Sequence, residues 1–307
     1  MKPYEAFFHM FFRDRDPGDF PFKFSAEVTN RCNLRCTTCP RQESGRGYGD
    51  MDLALFQSLA RQAGRRQGLF YPQGFGESFL HPEYGLMLDA LNAEGVRYPI
   101  CITNATYLDE ANCRLLVEHA PALVIISLDG GDAETYEQIR VHADYEQVVE
   151  NIRRLFRVRE ELGARRPHIS LSVIDNERVR PSVDALRATW EPLMRGSDEI
   201  FLCSPISWAG TLLNADTRAP EGAERPLPPP DERPPCRFLY KTLTVFYDGR
   251  ATPCCYDHRC ELEVGNAHEQ SIAEIWNGPR MAELRRLHEE GRVDEVPLCR
   301  DCPDFIP

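Results

Sequence analysis

Six short apolar segments, each but the last followed by a helical one, constrain this chain more than any other feature. FSAEV (24–28), LFYPQ (69–73), YPICIT (98–103), ALVIISLD (122–129), HISLSVI (168–174) and EIFLC (199–203) read as strands. Met51–Gln62, Tyr84–Ala93, Leu108–His119, Tyr145–Leu162 and a stretch near 181–194 carry helical periodicity. Such alternation predicts parallel strands joined by right-handed crossovers. Polar or glycine-rich signals recur just after the strands, at 32–39, 74–78, 103–106 and 127–130. In a parallel barrel, chemistry sits at those C-terminal strand ends.

Beyond residue 211 the character changes. Leu212–Pro235 carries seven prolines and few large apolar residues, and reads as a linker. TLTVFYDGRATPCC then predicts a hairpin turning at Asp248–Gly249, a helix is expected over about 271–289, and the chain closes on CRDC. The expected organisation is an N-terminal arm (1–22), a barrel (23–211), the linker (212–235) and a cysteine-bearing subdomain (236–307).

The 307 residues give room for one large domain and a smaller appendage. No run of about 18 apolar residues is present, and MKPYEAFFHMFFRDRD lacks the pattern of a signal peptide, so the expectation is a cytoplasmic protein without a membrane partner. The net charge of −12, from 36 basic and 48 acidic residues, argues against nucleic acid. It suits a cationic substrate, although solubility alone explains it as well. Twelve cysteines in a chain this large, with no export signal, point to reduced thiols and metal or cofactor ligands rather than bridges. Cys101, Cys113 and Cys203 lie in apolar or helical stretches and read as small buried hydrophobes.

The densest thiol cluster is VTNRCNLRCTTCPR, which spaces Cys32, Cys36 and Cys39 as C-x-x-x-C-x-x-C in the loop after the first strand. Thiolates suit iron–sulfur clusters and zinc, and a zinc knuckle borrowing a fourth ligand is the alternative. Three local ligands would leave one iron of a cluster open. This segment resembles the hallmark of the radical S-adenosylmethionine superfamily. Three further segments resemble that family's motifs in order: GFGES (74–78), ITNATYL (102–108) and ISLDGGDAETYEQIR (126–140). The resemblance implies a 4Fe–4S cluster on Cys32, Cys36 and Cys39 whose open iron binds S-adenosylmethionine. It implies that Gly76 and Glu77 hold the methionine amino group and that Asn104 belongs to the cofactor site. Ser127 and Asp129 would approach the ribose, with Ser172 a weaker candidate, and Arg140 would pair with the methionine carboxylate. Thr38 stands where the family often has an aromatic residue, and Ser78 where proline is common.

The C-terminal pattern, Cys236, Gly249, Cys254, Cys299 and Cys302, resembles the shortened SPASM domain called a twitch domain, as does VGNAHEQSIAEIWNGPRMAELR (264–285). The resemblance implies one auxiliary 4Fe–4S cluster on Cys236, Cys254, Cys299 and Cys302. A zinc ribbon is the alternative, and Cys255 and Cys260 remain alternative ligands. The fold class expected is α/β, a partial (β/α)6 TIM-like barrel with a small C-terminal twitch subdomain of hairpin plus helix.

The resemblance also implies a reaction class and a reducing partner such as flavodoxin or ferredoxin. A substrate carbon radical either receives a hydrogen atom from the opposite face or loses an electron and a proton. The first expectation is epimerisation of a small polycationic substrate, an aminoglycoside antibiotic, with Cys255 as hydrogen donor. The alternative is a dehydrogenase that passes the electron to the auxiliary cluster. Peptide modification comes third, because no peptide-clasping winged-helix module is apparent at the N-terminus. A non-catalytic metal scaffold would need neither an open iron nor a cofactor clamp.

Overall fold

The computed structural model describes residues 16–64, 66, 68–218 and 227–306; the first fifteen residues of the expected N-terminal arm and part of the expected linker lie outside them. Six strands run β1 (Lys23–Ala26), β2 (Leu69–Tyr71), β3 (Ile100–Thr103), β4 (Leu123–Ser127), β5 (His168–Ile174) and β6 (Glu199–Cys203). β1 and β2 pair in parallel, as do β3 through β6 in sequential order, and a parallel bridge between Phe70 and Pro99 joins the two groups. The result is a partial (β/α)6 barrel of the TIM type, followed by a small cysteine-bearing subdomain.

The crossover helices start where an aspartate can accept an orphan amide of the first turn. Asp52 caps α1 (Leu53–Ala63), Asp109 caps α3 (Glu110–His119), Asp132 caps α4 (Ala133–Ile139) and Asp144 caps α5 (Tyr145–Glu161), each by accepting the N–H three residues on. Between α1 and α3, α2 (Tyr84–Ala93) follows β2, and α6 (Val183–Trp190) follows β5. α4 lies inside the stretch read from sequence only as a motif. Strand residues alternate: Phe24, Ala26 and Phe70 face the helices in the core, with Phe24 edge-on to Phe70 at 5.2 Å and Phe56 of α1 at 5.8 Å from Phe70. Lys23, Ser25 and Tyr71 take the other face and line the lumen. Leu69, Ile100 and Leu123 gather there into a separate small cluster that plugs the barrel floor.

The C-terminal part does not stand off from the barrel. Its first strand, β7 (Thr242–Val245), follows the short helix α7 (Phe238–Lys241) and adds in parallel to β1, with Lys23 opposite Thr242 and Ser25 opposite Thr244. β7 turns back through Asp248–Gly249 into β8 (Arg250–Thr252), and β9 (Gly265–Asn266) completes a five-stranded sheet ordered β2-β1-β7-β8-β9. Gly249 has φ +85°, and a Cβ there would come within 2.4 Å of the His268 side chain, so the turn requires glycine. The helix expected over 271–289 is two: α8 (Ile272–Trp276), opened by a Ser271–Glu274 capping box, and α9 (Pro279–Glu289). Pro279 cannot continue α8 but suits the first turn of α9. α10 (Pro297–Arg300) carries Cys299. Among the described residues, no helix is long and apolar enough to cross a membrane.

The start of the expected linker is packed rather than free. Asp216 and Thr217 are buried, and Asp216 accepts from the Thr37 hydroxyl at 2.8 Å and from Arg178 Nε at 2.8 Å. Asn214 Nδ2 donates to the Thr37 carbonyl at 2.8 Å. Proline-rich composition hid a segment that straps the cysteine loop.

Candidate active site

The four motifs converge at the C-terminal ends of the strands. The cysteine loop leaves β1 and is held from two sides. Arg35 and Thr37 donate their amides to the carbonyls of Val141, just past α4, and Ile139, its last residue, at 3.0 and 2.9 Å, and Trp208 Nε1 donates to the Thr38 carbonyl at 2.7 Å. Buried Arg41 ties the loop to itself through the Leu34 carbonyl at 2.9 Å. Cys32, Cys36 and Cys39 open onto one cavity of about 400 Å³. They lie within electrostatic reach of one another: burial pushes the Cys39 thiol up to about 11, and Cys36 and Cys32 push it in the same direction. Yet among the described residues no group of three or more His, Cys, Asp or Glu side chains is gathered tightly enough to hold a single metal ion. Three thiols on one cavity are the ligand number that a cluster with one open iron requires.

Gly76 lets the second motif press against the cysteine loop. A Cβ there would lie 2.3 Å from the Thr29 carbonyl oxygen and 2.7 Å from that of Arg31, while the Glu77 amide donates to Arg31 at 2.8 Å. Glu77 is 2% exposed, and its carboxylate accepts from the Thr103 hydroxyl at 2.9 Å and the Asn104 amide at 2.8 Å. Burial pushes its carboxyl up to about 7, against the opposing pull of those hydrogen bonds. Asn104 turns its side-chain amide toward Cys32 Sγ at 3.8 Å and Asn33 Oδ1 at 3.1 Å.

The opposite wall is built from β4, β5 and the end of α4. Ser127 and Ser172 line the cavity there with Asp129 and Arg140. Arg140 Nη1 points at Cys36 Sγ at 3.6 Å, and its Nε and Nη2 both donate to Asp129 Oδ2, the former at 2.7 Å. The other oxygen of Asp129 accepts the Ile174 amide at 2.8 Å. Both oxygens of Asp129 thus accept hydrogen bonds within the protein, and the residue still lines the cavity where the sequence pointed to a ribose contact. All ten residues expected in the cluster and cofactor site line this one cavity.

A second cavity of about 460 Å³ continues into the lumen and shares Gln73, Gly74, Phe75, Ile102, Ile206 and Trp208 with the first. Cys255 lines this second cavity and not the first. The neighbouring thiols are sorted by direction. Burial raises Cys254 well above its ordinary value, and Cys255, Cys299 and Cys236 add to the rise. Cys299 feels Cys236 and Cys302, whereas Cys255 faces Lys23 and Cys260 faces Asp257 and Arg250. Cys236, Cys254, Cys299 and Cys302 are thus electrostatic neighbours, and Cys255 also lies within reach of Cys254.

The sequence reading missed Lys23, Trp208 and Asp216. Lys23 was legible in principle, because the alternation in KFSA puts it on the face of Ser25. Trp208 and Asp216 reach the loop from about 170 residues away along the chain and carry no local signal.

Comparison with known proteins agrees with this geometry. A family model of the radical SAM superfamily matches residues 26–161, and one of the SPASM iron–sulfur cluster-binding domain matches residues 236–303. The tungsten-containing aldehyde ferredoxin oxidoreductase cofactor-modifying protein of Pyrococcus furiosus is 28% identical over 91% of this chain and 88% of its own length. The S-adenosyl-L-methionine-dependent 2-deoxy-scyllo-inosamine dehydrogenase of Niallia circulans is 24% identical over 90% of each chain. Among solved structures, BtrN in complex with AdoMet and 2-DOIA matches with TM-score 0.59 at 20% identity over 92% of each chain. Streptococcus suis SuiB bound to its precursor peptide SuiA matches with TM-score 0.68 at 13% identity, over 87% of this chain and 67% of its own. The barrel motifs and the C-terminal thiols place the chain in the radical SAM superfamily, as an enzyme that uses S-adenosylmethionine and a 4Fe–4S cluster and carries a SPASM-type domain for auxiliary iron–sulfur.

Proposed function

We propose that this enzyme removes a hydrogen atom from a carbon of a small molecule seated in the barrel lumen and oxidises that carbon. In this reading Cys32, Cys36 and Cys39 hold the cofactor-binding cluster, and Cys236, Cys254, Cys299 and Cys302 hold the auxiliary one. When bound, these groups supply a 5′-deoxyadenosyl radical and a one-electron acceptor. Gly76 and Glu77 receive the methionine amino group, Asn104 steadies the Cys32 side of the site, and Arg140 receives the carboxylate. Ser127 and Ser172 face the ribose. Asp129, with both oxygens engaged, positions Arg140 instead of touching the ribose. Phe75 and Trp208, packed at 5.4 Å between centroids, line both cavities and exclude water where they meet.

The observation that carries oxidation is the thinness of the lumen wall. Cys255 faces the lumen, and the next residue back, Cys254, stands among Cys236 and Cys299. An electron leaving a substrate carbon has one residue to cross. The similarity to a protein named as a dehydrogenase moves oxidation ahead of epimerisation. Epimerisation keeps a specific support: the Cys255 thiol itself lines the lumen and is placed to return a hydrogen atom to a carbon radical. The negative net charge does not reach this cavity, where Lys23 is the charged lining residue among those described. Among the described residues no carboxylate lines this second cavity to receive a polycationic aminoglycoside.

The test is anaerobic incubation of reconstituted enzyme with S-adenosylmethionine, dithionite and a panel of aminocyclitols, aminoglycosides and small carboxylic acids in deuterated water, read by mass spectrometry. Product lacking two hydrogens, formed equally by Cys255→Ala, supports oxidation. Product that has gained one deuterium, and is lost in Cys255→Ala, supports epimerisation. Product hydrogen loss that depends on Cys255 overturns the simple oxidation scheme.

A further inference from the structure

Lys23 opens β1 on the lumen face, at the end of the barrel opposite the cofactor motifs. It is half-buried in the lumen wall. Among the described residues its ammonium has no carboxylate partner or hydrogen-bond acceptor; it lies 4.9 Å from the Tyr71 ring centroid and within electrostatic reach of the Cys255 thiol. Lysines in barrel walls are normally paired or turned to solvent, since a charge facing an apolar cavity is costly without a counter-ion. Around it stand the small polar groups Ser25 and Thr244, opposite each other on β1 and β7. Higher up, the walls are aliphatic and aromatic.

We infer that the substrate of this enzyme carries a carboxylate that Lys23 binds at the lumen floor, so that the enzyme acts on a monoanionic, partly apolar acid rather than on a polycation. The inference rests on the lumen being the substrate site, as proposed above. A single ammonium balances a single negative charge, whereas a phosphate dianion would leave charge uncompensated among apolar walls. The geometry also sets a ruler. Lys23 is level with Leu69 in the β1–β2 register, and Gly74, where the two cavities meet, lies five residues further along that segment. Only Leu69–Tyr71 of that span is strand, so about 3.3 Å per residue sets an upper limit of about 16 Å between the two levels; less the reach of the lysine side chain, the reacting carbon lies at most on the order of 10 Å from the carboxylate. Tyr71 between those levels, with Phe75 and Phe238 elsewhere in the same lining, suits an aromatic or extended aliphatic spacer.

The experiment uses the reconstituted holoenzyme with S-adenosylmethionine bound and three probes of one shape: 3-phenylpropionate, 3-phenylpropionamide and 3-phenylpropylamine. Binding is read by calorimetry and by quenching of Trp208 fluorescence against a Trp208→Phe control. The carboxylate is expected to bind roughly ten- to hundredfold more tightly than the amide, the size of one charge-assisted hydrogen bond, and the amine is expected not to bind. Lys23→Met should erase that preference and Lys23→Arg should keep it. Equal binding of carboxylate and amide by the wild-type enzyme, absence of carboxylate binding at millimolar concentration, or an unchanged preference in a folded Lys23→Met protein would overturn the inference. Release of 5′-deoxyadenosine is followed separately. Carboxylate preference without cofactor cleavage would keep the Lys23 site and defeat the reading of the lumen as the reaction chamber. Cleavage without the preference would do the reverse.

Discussion

Arg46 and Glu27 form a two-pronged ion pair, at 2.7 and 2.9 Å, with side chains 3% and 0% exposed. Glu27 also accepts the amides of Phe75 and Tyr247, at 3.2 and 3.4 Å. Arg46 donates through Nε to the His258 carbonyl at 2.8 Å and lies over the Phe246 ring at 4.0 Å. One pair therefore ties the end of β1 to the GFGES loop and to the auxiliary domain. Removing one partner strands the other charge away from water, which costs about 3–5 kcal/mol, whereas removing both is far milder. Arg46→Met is expected to lose that much stability in denaturant unfolding, and Glu27→Leu combined with Arg46→Met is expected to lose less than the sum of the single changes. A loss below about 1 kcal/mol in Arg46→Met would put the pair among ordinary surface bridges.

Much of this architecture was legible in sequence, and the parts that were not share a cause. Strand positions follow from runs of β-branched and aromatic residues, and β5 and β6 fall on HISLSVI and EIFLC. The ten residues expected at the cofactor site line one cavity because the motifs follow strand ends, so topology brings them together. Local patterns report neighbours along the chain; they do not report which distant groups meet. The Glu27–Arg46 pair, the strap from Asn214 to Thr217, and the pairing of β7 with β1 are all contacts between separate segments. The partner of Asp129, the Ile174 amide, lies 45 residues on, so that hydrogen bond left no local signal.

Glu77 is expected to make S-adenosylmethionine binding pH-dependent. Burial is the main reason that its carboxyl titrates at about 7. The ammonium of S-adenosylmethionine is attracted to the charged form, which predominates above that pH. Below it, a proton must leave before the cofactor is held, so affinity should fall by about tenfold for each pH unit. Affinity should level off on the alkaline side of 7. Calorimetric titration between pH 5.5 and 8 checks the slope, and Glu77→Gln should flatten it while binding more weakly throughout. The same slope in Glu77→Gln would assign the dependence to another group.

Asp129 and Arg140 separate positioning from contact. Asparagine at 129 can still accept the Ile174 amide but no longer offers a charged clamp to Arg140. Asp129→Asn is expected to keep its iron content and to bind S-adenosylmethionine about ten- to hundredfold more weakly, the range of one charge-assisted hydrogen bond. Arg140→Lys should resemble it, because an ammonium cannot hold a carboxylate in a two-pronged fork. If Asp129→Asn binds the cofactor as the wild type does but releases 5′-deoxyadenosine with altered coupling to substrate, Asp129 acts on the ribose side after all.

Cys254 and Cys255 are adjacent in sequence and face different chemistry. Cys254 stands with Cys236 and Cys299 behind the lumen wall, and Cys255 stands in it, facing Lys23. A ligand and a lumen thiol respond oppositely to truncation. Cys254→Ala is expected to lose the auxiliary cluster, a deficit of about four iron atoms per chain after anaerobic reconstitution. Cys255→Ala is expected to retain full iron and the spectroscopic signals of both clusters. Cys32→Ala supplies the reference for losing the other cluster, and Cys260→Ala should behave as wild type, because Cys260 is buried beside Asp257 and Arg250. Iron analysis with electron paramagnetic resonance of the reduced proteins reads all four variants. An iron deficit in Cys255→Ala with full loading of Cys254→Ala would exchange the two roles: Cys255 would become the fourth ligand and would no longer be the thiol that returns a hydrogen atom.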